Sequence, residues 1–268
     1  MRELDMFLNT LKSEHTKIAY KRVINNSLNY IQKSIKDINA ADLVEWSNSL
    51  STYSSATQNQ YINAIKSFFE FLVDIDYIDK NPARKLKLKK VVNKPKDVVN
   101  DEEVKCMLKM ASNKRDKAII SVLFSTGMRV NELINLKLDD LTNESVYILA
   151  KGGIYREVFI NEDCMNNISA YLEDRKYSEY DNLFVSNQGT PMKEANINSM
   201  LKKIAKRCGI DKNITPHSLR HTFVTDIAAK YGVEVARDAV GHANLSTTNR
   251  YIHTNRKQIK DAMMAISL

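Results

Sequence analysis

Side chains able to act on a phosphodiester lie at several separated positions in the second half of the 268-residue chain. Cleaving and rejoining such a bond needs a nucleophile, cations on the non-bridging oxygens and a proton donor for the leaving oxygen. Arg129, in S-T-G-M-R-V-N-E-L, supplies a planar guanidinium that matches a phosphate bidentately and keeps its charge at any working pH. Taken alone, an arginine of this kind is more commonly a surface ion-pair residue.

His217 and Arg220 stand three residues apart in T-P-H-S-L-R-H-T. Thr215 is a good N-cap and Pro216 is favoured at the first helical position, so this segment predicts the start of a helix. The spacing puts both side chains on one helical face near the positive end of the helix dipole, which suits a phosphate. A His-x-x-Arg pair is nevertheless common by chance.

A lysine stands at the turn of a predicted β-hairpin. Two runs rich in β-branched and aromatic residues, 146–150 and 155–160, flank Lys151-Gly152-Gly153-Ile154. A flexible ammonium at that turn can reach into a groove and protonate a leaving oxygen. The alternative for Lys151 alone is an ordinary solvated turn lysine.

A tyrosine follows nine residues after a histidine in G-H-A-N-L-S-T-T-N-R-Y, which places Tyr251 behind His242. A free phenol has a pKa of about 10, so it is a poor nucleophile unless its surroundings activate it. The chain has 12 tyrosines, and composition does not single out Tyr251.

The elements that position these groups are mostly helical, and the sequence predicts a mainly α fold with a small β-hairpin or sheet. Four helices are predicted in residues 1–85, the fourth capped by Ser54 or Ser55. The second helix carries a predicted apolar face. Its members are Ile18, Ile24, Leu28 and Ile31.

A lysine-rich stretch without periodicity, residues 86–98, predicts a basic interdomain linker, with a solvated surface loop as the alternative. Asn100 and Glu103 then have the spacing of a capping box, which opens a second domain at 99–268. Within this domain a further short strand is predicted from Asp181, in D-N-L-F-V-S.

Together, the order and spacing of the chemical groups resemble the tyrosine recombinase (phage integrase) family. The resemblance rests on T-G-M-R-x-x-E-L, the lysine hairpin, H-x-L-R-H-T-F and G-H-x-x-x-x-T-T-x-x-Y, between about residue 100 and Tyr251. It extends more loosely over the helices before them and N-P-A at Asn81. The chain looks like the simple Xer-like members without an arm-binding domain. Val240, where leucine usually precedes Gly-His, and Gly153 depart from the pattern without removing a chemical group.

The resemblance implies a catalytic role for each group. Tyr251 would attack the scissile phosphate, forming a 3′-phosphotyrosine and releasing a 5′-hydroxyl. Arg129 and Arg220 would bind the non-bridging oxygens, and Lys151 would protonate the 5′ oxygen. His217 would assist proton movement at the tyrosine, and His242 would hydrogen-bond the phosphate. No metal, ATP or other cofactor is implied, and the sequence has no P-loop and no carboxylate cluster suited to Mg²⁺.

The family also implies an assembly on DNA. A SAM-like core-binding domain at 1–85 and the catalytic domain at 99–268 would close on a double-stranded recombination site as a C-shaped clamp. Four protomers would exchange strands through a Holliday junction, for integration, excision or dimer resolution. The tail 254–268, with Ile259, Met263 and Ile266 on one face, would dock on a neighbouring protomer; a tail folded back on its own core is the alternative. An accessory protein can also take part in such reactions.

The net charge of +8 and the pI of about 9.2 fit a polyanionic partner. Eight residues are candidate DNA contacts; the alternative for each is that it belongs to a solvated polar face. They are Lys17, Lys21 and Arg22 on the second helix, Gln58, Asn59 and Lys66 on the fourth, and Lys89 and Lys90 in the linker.

Three scattered cysteines, Cys106, Cys164 and Cys208, predict no disulfide framework and fit a reducing compartment. The N-terminal residues lack a signal-peptide pattern, and no stretch reaches transmembrane length. We therefore expect a cytoplasmic protein without a membrane partner.

Two other classes use parts of the same pattern. A type IB topoisomerase shares the tyrosine chemistry but relaxes supercoils as a monomer, independently of sequence; the motif flanks and the tail argue against it. A non-catalytic relative, such as an excision factor or repressor, would bind DNA without cleaving it. The presence of all six catalytic positions argues against that class.

Overall fold

The structure, a computed structural model, describes residues 2–91, 98–149, 155–241, 260–261 and 263–266. The chain forms two compact units, Met1–Lys94 and Pro95–Leu268. Eleven α-helices and two β-strands lie in the described ranges: α1 (Arg2–Thr10), α2 (Glu14–Ile31), α3 (Ala40–Ser49), α4 (Ser55–Asp74), α5 (Asp101–Met110), α6 (Lys114–Thr126), α7 (Val130–Asn135), β1 (Ser145–Leu149), β2 (Tyr155–Phe159), α8 (Glu162–Asp174), α9 (Glu194–Arg207), α10 (Pro216–Tyr231) and α11 (Val233–Val240). The predicted fold class, mainly α with a small hairpin, is confirmed.

The first unit is a cluster of four helices, α1 to α4, around an aromatic core. Phe7 packs against Phe68 and Phe71, with ring centroids 5.5 Å apart in both pairs. Ser54 caps α4 by accepting a hydrogen bond from the backbone N–H of Thr57. That cap was one of the two predicted, and it satisfies a donor that the helix itself cannot.

One predicted core position of this unit is wrong. Ile18 is 68% exposed, whereas Ile24 is fully buried and Val23 lies beside it in the core. Ile18 and Ile24 are six residues apart on an α-helix, so their side chains point about 120° apart around the helix axis. The buried face of α2 is therefore narrower than the apolar pattern suggested.

Packing in the first unit continues past its last helix. Asn81 caps a short 3₁₀ turn, Pro82–Lys85, and Leu86 is buried in the same core as the helices. The side chain of Asn59 then makes two hydrogen bonds to the backbone of Lys89, one to its N–H at 2.7 Å and one to its carbonyl at 2.8 Å.

The second unit is built around α6, whose residues Ala118 to Thr126 are all buried. A helix that is buried on every side requires neighbours all round, and α5, α8 and α10 pack against it. It ends at Gly127, which adopts a left-handed φ of +59° and donates its N–H to the carbonyl of Leu123.

The predicted hairpin is present as the antiparallel pair β1 and β2, in a register that sets Val146 opposite Val158 and Ile148 opposite Arg156. The turn residues 150–154, and with them Lys151, lie outside the described residues. The strand predicted from Asp181 is wrong: Asn182 and Val185 make only isolated bridges, to Lys137 and Pro191 respectively. The segment is buried but meets a different loop on each side, so no ladder forms.

The described part of the tail lies against the core of its own unit. Met263 is 1% exposed, and Asn161 donates a hydrogen bond from Nδ2 to the carbonyl of Ile266. Lys260 forms an ion pair with Glu144. This arrangement corresponds to the folded-back alternative within a single chain.

None of the described helices is both long enough and apolar enough to cross a lipid bilayer.

Candidate active site

Two of the predicted catalytic residues, Arg129 and Arg220, come together in the second unit although they are far apart in sequence. Arg129 stands directly before α7, and Arg220 lies in the second turn of α10. Burial is the main cause that lowers the pKa of Arg220, and the nearby positive charge of Arg129 lowers it further. The second unit therefore holds a centre of concentrated positive charge.

Arg220 is fixed by the ends of two helices. It is 5% exposed, and Nη1 donates to the carbonyl of Gly127, which follows α6. Nη2 donates to the carbonyl of Val240, the last residue of α11, at 3.0 Å. The last carbonyls of a helix lack intrahelical partners and lie at the negative end of its dipole. They therefore orient the guanidinium without cancelling its charge.

The local sequence places Arg220 at the start of α10. Thr215 caps the helix and Pro216 occupies the first turn, as the sequence predicts, and Ser218 completes a capping box with Thr215. His217 is exposed in that same turn, three residues before Arg220. The ring of His221 instead lies 3.1 Å from the hydroxyl of Thr225.

Burial, together with the charges of Arg129 and Arg156, lowers the pKa of Arg220 to about 10, while the carboxylate of Glu132 acts in the opposite direction. A guanidinium with that pKa is still protonated at neutral pH. The site thus keeps a charged guanidinium in spite of its burial.

Arg129 is held by Glu132, one turn further on. The carboxylate accepts from Arg129 Nη1 at 2.8 Å and from the Arg129 backbone N–H at 2.7 Å. The side chain of Glu132 is 7% exposed, whereas that of Arg129 is 42% exposed. Glu132 therefore holds the arginine from its buried side and leaves the guanidinium accessible to a ligand.

Glu132 and Arg156 complete the site, and neither was among the predicted residues. Arg156 donates from Nη2 to Glu132 at 3.2 Å and from Nη1 to the carbonyl of Ala239 at 2.7 Å. Glu132 lies inside the quoted motif T-G-M-R-x-x-E-L, at capping-box spacing from Arg129. Arg156 is a charged residue on the inward face of the hairpin, opposite Ile148. A charged residue at an inward position interrupts the alternation of the strand, and this could have marked Arg156 in the sequence.

Arg129 and Arg156 both pair with the carboxylate of Glu132, and with the nearby Arg220 these four side chains carry a net charge of +2. Partly buried charges are screened less than surface charges. Such a centre can bind a phosphodiester and stabilise the additional charge of a five-coordinate phosphorus.

Three predicted catalytic residues, Lys151, His242 and Tyr251, lie outside the described residues. Among the residues that the structure does describe, no group of three or more His, Cys, Asp or Glu side chains could hold a metal ion.

The candidate DNA contacts of the first unit differ in availability. Lys21 and Arg22 are exposed on α2, and Lys17 forms an ion pair with Glu14 at 2.6 Å. Lys66 is half-buried on α4. Lys89 and Lys90 are exposed.

Two amides of α4 are occupied within the protein. Gln58 is 7% exposed and donates to the carbonyl of Tyr53 at 2.7 Å, so it has little surface left for a nucleic acid. Both polar ends of Asn59 are taken up by the backbone of Lys89. In this geometry the side chain of Asn59 fixes the backbone of Lys89.

Fold and site together define a two-unit helical protein with a partly buried cluster of arginines in its second unit. The model of the phage integrase family matches residues 97–258, and that of the phage integrase N-terminal SAM-like domain matches residues 4–79. The first match spans the positions of all six predicted catalytic residues. The chain belongs to the phage integrase family.

Curated relatives carry the name tyrosine recombinase. XerA of Pyrococcus horikoshii is 34% identical over 221 residues, covering 80% of this chain and 74% of that protein. XerD of Oceanobacillus iheyensis is 29% identical over 269 residues, covering 93% and 91%. The predicted enzyme class, a tyrosine recombinase, is confirmed, and the topoisomerase alternative is not favoured.

A solved structure shares the fold. XerH bound to a palindromic difH substrate, in a post-cleavage complex, aligns with a TM-score of 0.71 at 22% identity, covering 97% of this chain and 93% of that one. At that identity the likeness concerns the fold alone.

Proposed function

We propose that this chain is a site-specific DNA recombinase that cuts and rejoins strands through a 3′-phosphotyrosine intermediate. The observation that carries the proposal is the arginine centre. Arg220 is fixed by helix-end carbonyls and Arg129 by a buried carboxylate. The net positive charge of the cluster is available to a phosphate. The family match, which includes the position of Tyr251, supports the choice of nucleophile.

In the proposed reaction the Tyr251 oxygen attacks the scissile phosphorus, and the bond from phosphorus to the 5′ oxygen breaks. Lys151 gives a proton to that oxygen, and His217 assists removal of the phenolic proton. Arg129 and Arg220 bind the non-bridging oxygens, whose charge grows in the transition state.

Strand exchange then runs the same chemistry in reverse. The 5′-hydroxyl of a partner strand attacks the phosphotyrosine, returns a proton to the enzyme and releases the tyrosine. His242 hydrogen-bonds the phosphate during both steps. Because one phosphodiester is exchanged for another, the bond energy is conserved and no nucleotide is consumed.

We also propose that basic residues of the first unit follow the DNA backbone. The exposed side chains of Lys21, Arg22, Lys89 and Lys90 support this, since cations that neutralise phosphates supply much of the affinity of DNA-binding proteins. Asn59 contributes indirectly, because its two hydrogen bonds fix the backbone of Lys89.

The proposed assembly is a homotetramer in which the tail of one protomer docks on the next. The contacts of Met263 and Ile266 with their own unit supply a receiving site that every protomer carries. Two copies can exchange identical segments at low cost, because the same contacts form in the partner. Docking in the assembly would therefore reuse the site that holds the tail within one chain.

Replacing Met263 with aspartate should reduce recombination by more than about tenfold, because an unpaired carboxylate does not enter an apolar site. Binding of a single protomer to a half-site should persist. Gel shifts would separate half-site from multi-protomer complexes. Ala265→Asp is the matched control, since Ala265 is exposed two residues further on. Unchanged assembly of the Met263 variant would contradict the proposed docking.

The decisive experiment traps the covalent intermediate. The full-length protein is incubated with nicked duplexes cut from the DNA that flanks its gene, and SDS-resistant adducts are separated on a gel. We expect an adduct with the wild type and a loss of more than about 10³-fold with Tyr251→Phe, because phenylalanine has no nucleophilic oxygen.

Tyr177→Phe, at a tyrosine that is 88% exposed, serves as the control and should form the adduct normally. An adduct with Tyr251→Phe would refute the assigned nucleophile. Relaxation of any supercoiled plasmid, regardless of sequence, would instead favour the topoisomerase alternative.

A further inference from the structure

We propose that Arg156 is a positioning residue that keeps Arg129 available for phosphate by sharing the charge of Glu132. This inference rests on the proposed function, because it assigns Arg156 a task in the same reaction. Arg156 lies in β2, outside the set of residues that the motifs identify.

The first step concerns the carboxylate. Glu132 is nearly enclosed and accepts hydrogen bonds from both Arg129 and Arg156. With both partners present, one negative charge is divided between two guanidinium groups, and the three side chains keep a net positive charge. If Arg156 is removed, Glu132 pairs with Arg129 alone and neutralises it, which weakens the attraction for a phosphate.

The second step concerns the other end of Arg156. Its Nη1 holds the carbonyl of Ala239, while Arg220 holds the next carbonyl along the chain, that of Val240. The two guanidinium groups thus bind consecutive carbonyls at the end of α11. Gly241 follows without a side chain, and a Cβ there would lie 3.1 Å from Cδ of Arg156. The glycine therefore lets the helix end approach the arginine closely.

The third step concerns the cost of this arrangement. The side chain of Arg156 is 15% exposed, and its Nε is buried without a hydrogen-bond partner in the part of the chain that the structure describes. Burial is the main cause that lowers the pKa of Arg156. Buried ion pairs are often no more stabilising than apolar residues of the same size. An arginine kept at such cost is better explained by its effect on the site than by stability.

The low exposure of Arg156 distinguishes it from Arg129, the other partner of Glu132. Arg129 presents a side chain that is 42% exposed, so it can touch a phosphate directly. Arg156 is covered and acts through Glu132 and the end of α11.

The test combines two substitutions in the full-length protein. Arg156→Met should slow adduct formation on the nicked duplex by about 10- to 100-fold, because small displacements in an active site have effects of that size. Adding Glu132→Gln should recover a substantial part of the lost rate. Glutamine still accepts a hydrogen bond from Arg129 but carries no charge to neutralise it.

A purely structural role predicts the opposite order, since the double variant lacks more native contacts than the single one. The matched control is Arg115, whose side chain is 18% exposed and is bound to Asp116 and to the carbonyl of Val185. Arg115→Met, alone or with Asp116→Asn, should leave the rate unchanged at temperatures where the protein is folded. Thermal unfolding of all variants fixes that range.

A second readout needs no DNA target. Orthovanadate binding to the free protein, measured by calorimetry, should weaken with Arg156→Met and recover in the double variant with Glu132→Gln. A double variant no faster and no tighter than Arg156→Met overturns the proposal, as does an Arg156→Met protein with wild-type behaviour. If the wild type forms no adduct but vanadate follows the expected order, the proposed function fails and the positioning role stands.

Discussion

Replacing Arg220 with lysine should slow phosphotyrosine formation by about 10²- to 10³-fold, an effect typical of losing one preorganised donor at a developing charge. Arg220 holds two carbonyls, those of Gly127 and Val240, with separate nitrogens of one planar group. A lysine ammonium is a single point charge on a flexible stem and does not reproduce that fork. One of the two helix ends would be left without its partner.

The same substitution should make activity depend on pH. The surroundings of Arg220 lower its pKa, first by burial and then through the charge of Arg129. These causes would act on a lysine in the same direction, and lysine starts from a lower pKa than arginine. The variant should therefore lose its cation as the pH rises through the lowered value and regain activity as the pH falls below it.

Single-turnover rates on the nicked duplex, measured between about pH 5.5 and about pH 9, would test both statements. This range of about 3.5 pH units is wide enough to cover a strongly shifted lysine. Arg207→Lys is the control, because Arg207 is exposed at the end of α9, and its pH profile should match that of the wild type. An Arg220→Lys protein with the rate and pH profile of the wild type would show that the fork geometry is unimportant.

Local chemistry explains what the sequence could predict. A helix cap depends only on residues within one turn, so the capping box of Asn100 with Glu103 and the helix start at Thr215-Pro216 form as predicted. The hairpin follows from alternation and a glycine turn in the same way. Membership of the family was predictable because its motifs are contiguous.

Contacts between distant segments explain what the sequence could not predict. Arg156 meets Glu132 across 24 residues and Ala239 across 83, and no single motif contains such a pair. Gln58 looked like a polar surface residue, yet its amide turns inward to the carbonyl of Tyr53. Periodicity predicts which face of a helix is apolar, but the identity of a polar side chain's partner depends on how the helices pack.

The close contact between Gly127, at the end of α6, and Phe223 of α10 predicts a second large effect, on stability. Replacing Gly127 with alanine should destabilise the second unit by about 2–5 kcal/mol, the sum of a left-handed backbone and an overpacked contact. Gly127 has a φ of +59°, and a Cβ there would overlap Cδ1 of Phe223 and lie 2.9 Å from Cγ and Cε1 of the ring. Chemical unfolding monitored by circular dichroism would measure the loss.

Gly209 provides a matched control for the backbone. It has a similar φ, +68°, but no atom lies within 4 Å of where its Cβ would be. Gly209→Ala should therefore cost only the backbone part, about 1–2 kcal/mol. The excess cost at Gly127 then measures the overlap with Phe223 alone.

Phe223→Leu tests the same contact from the other side, because leucine can turn away where a ring cannot. In that background the cost of Gly127→Ala should fall towards the cost of Gly209→Ala, as expected for two residues in contact. Activity should follow stability only in part, since the carbonyl of Gly127 also holds Arg220. A shifted Gly127 would misplace that guanidinium even in folded protein, so the Gly127 variant should remain slower than the Gly209 variant where both are fully folded. Equal rates there would mean that the end of α6 supports the fold without orienting Arg220.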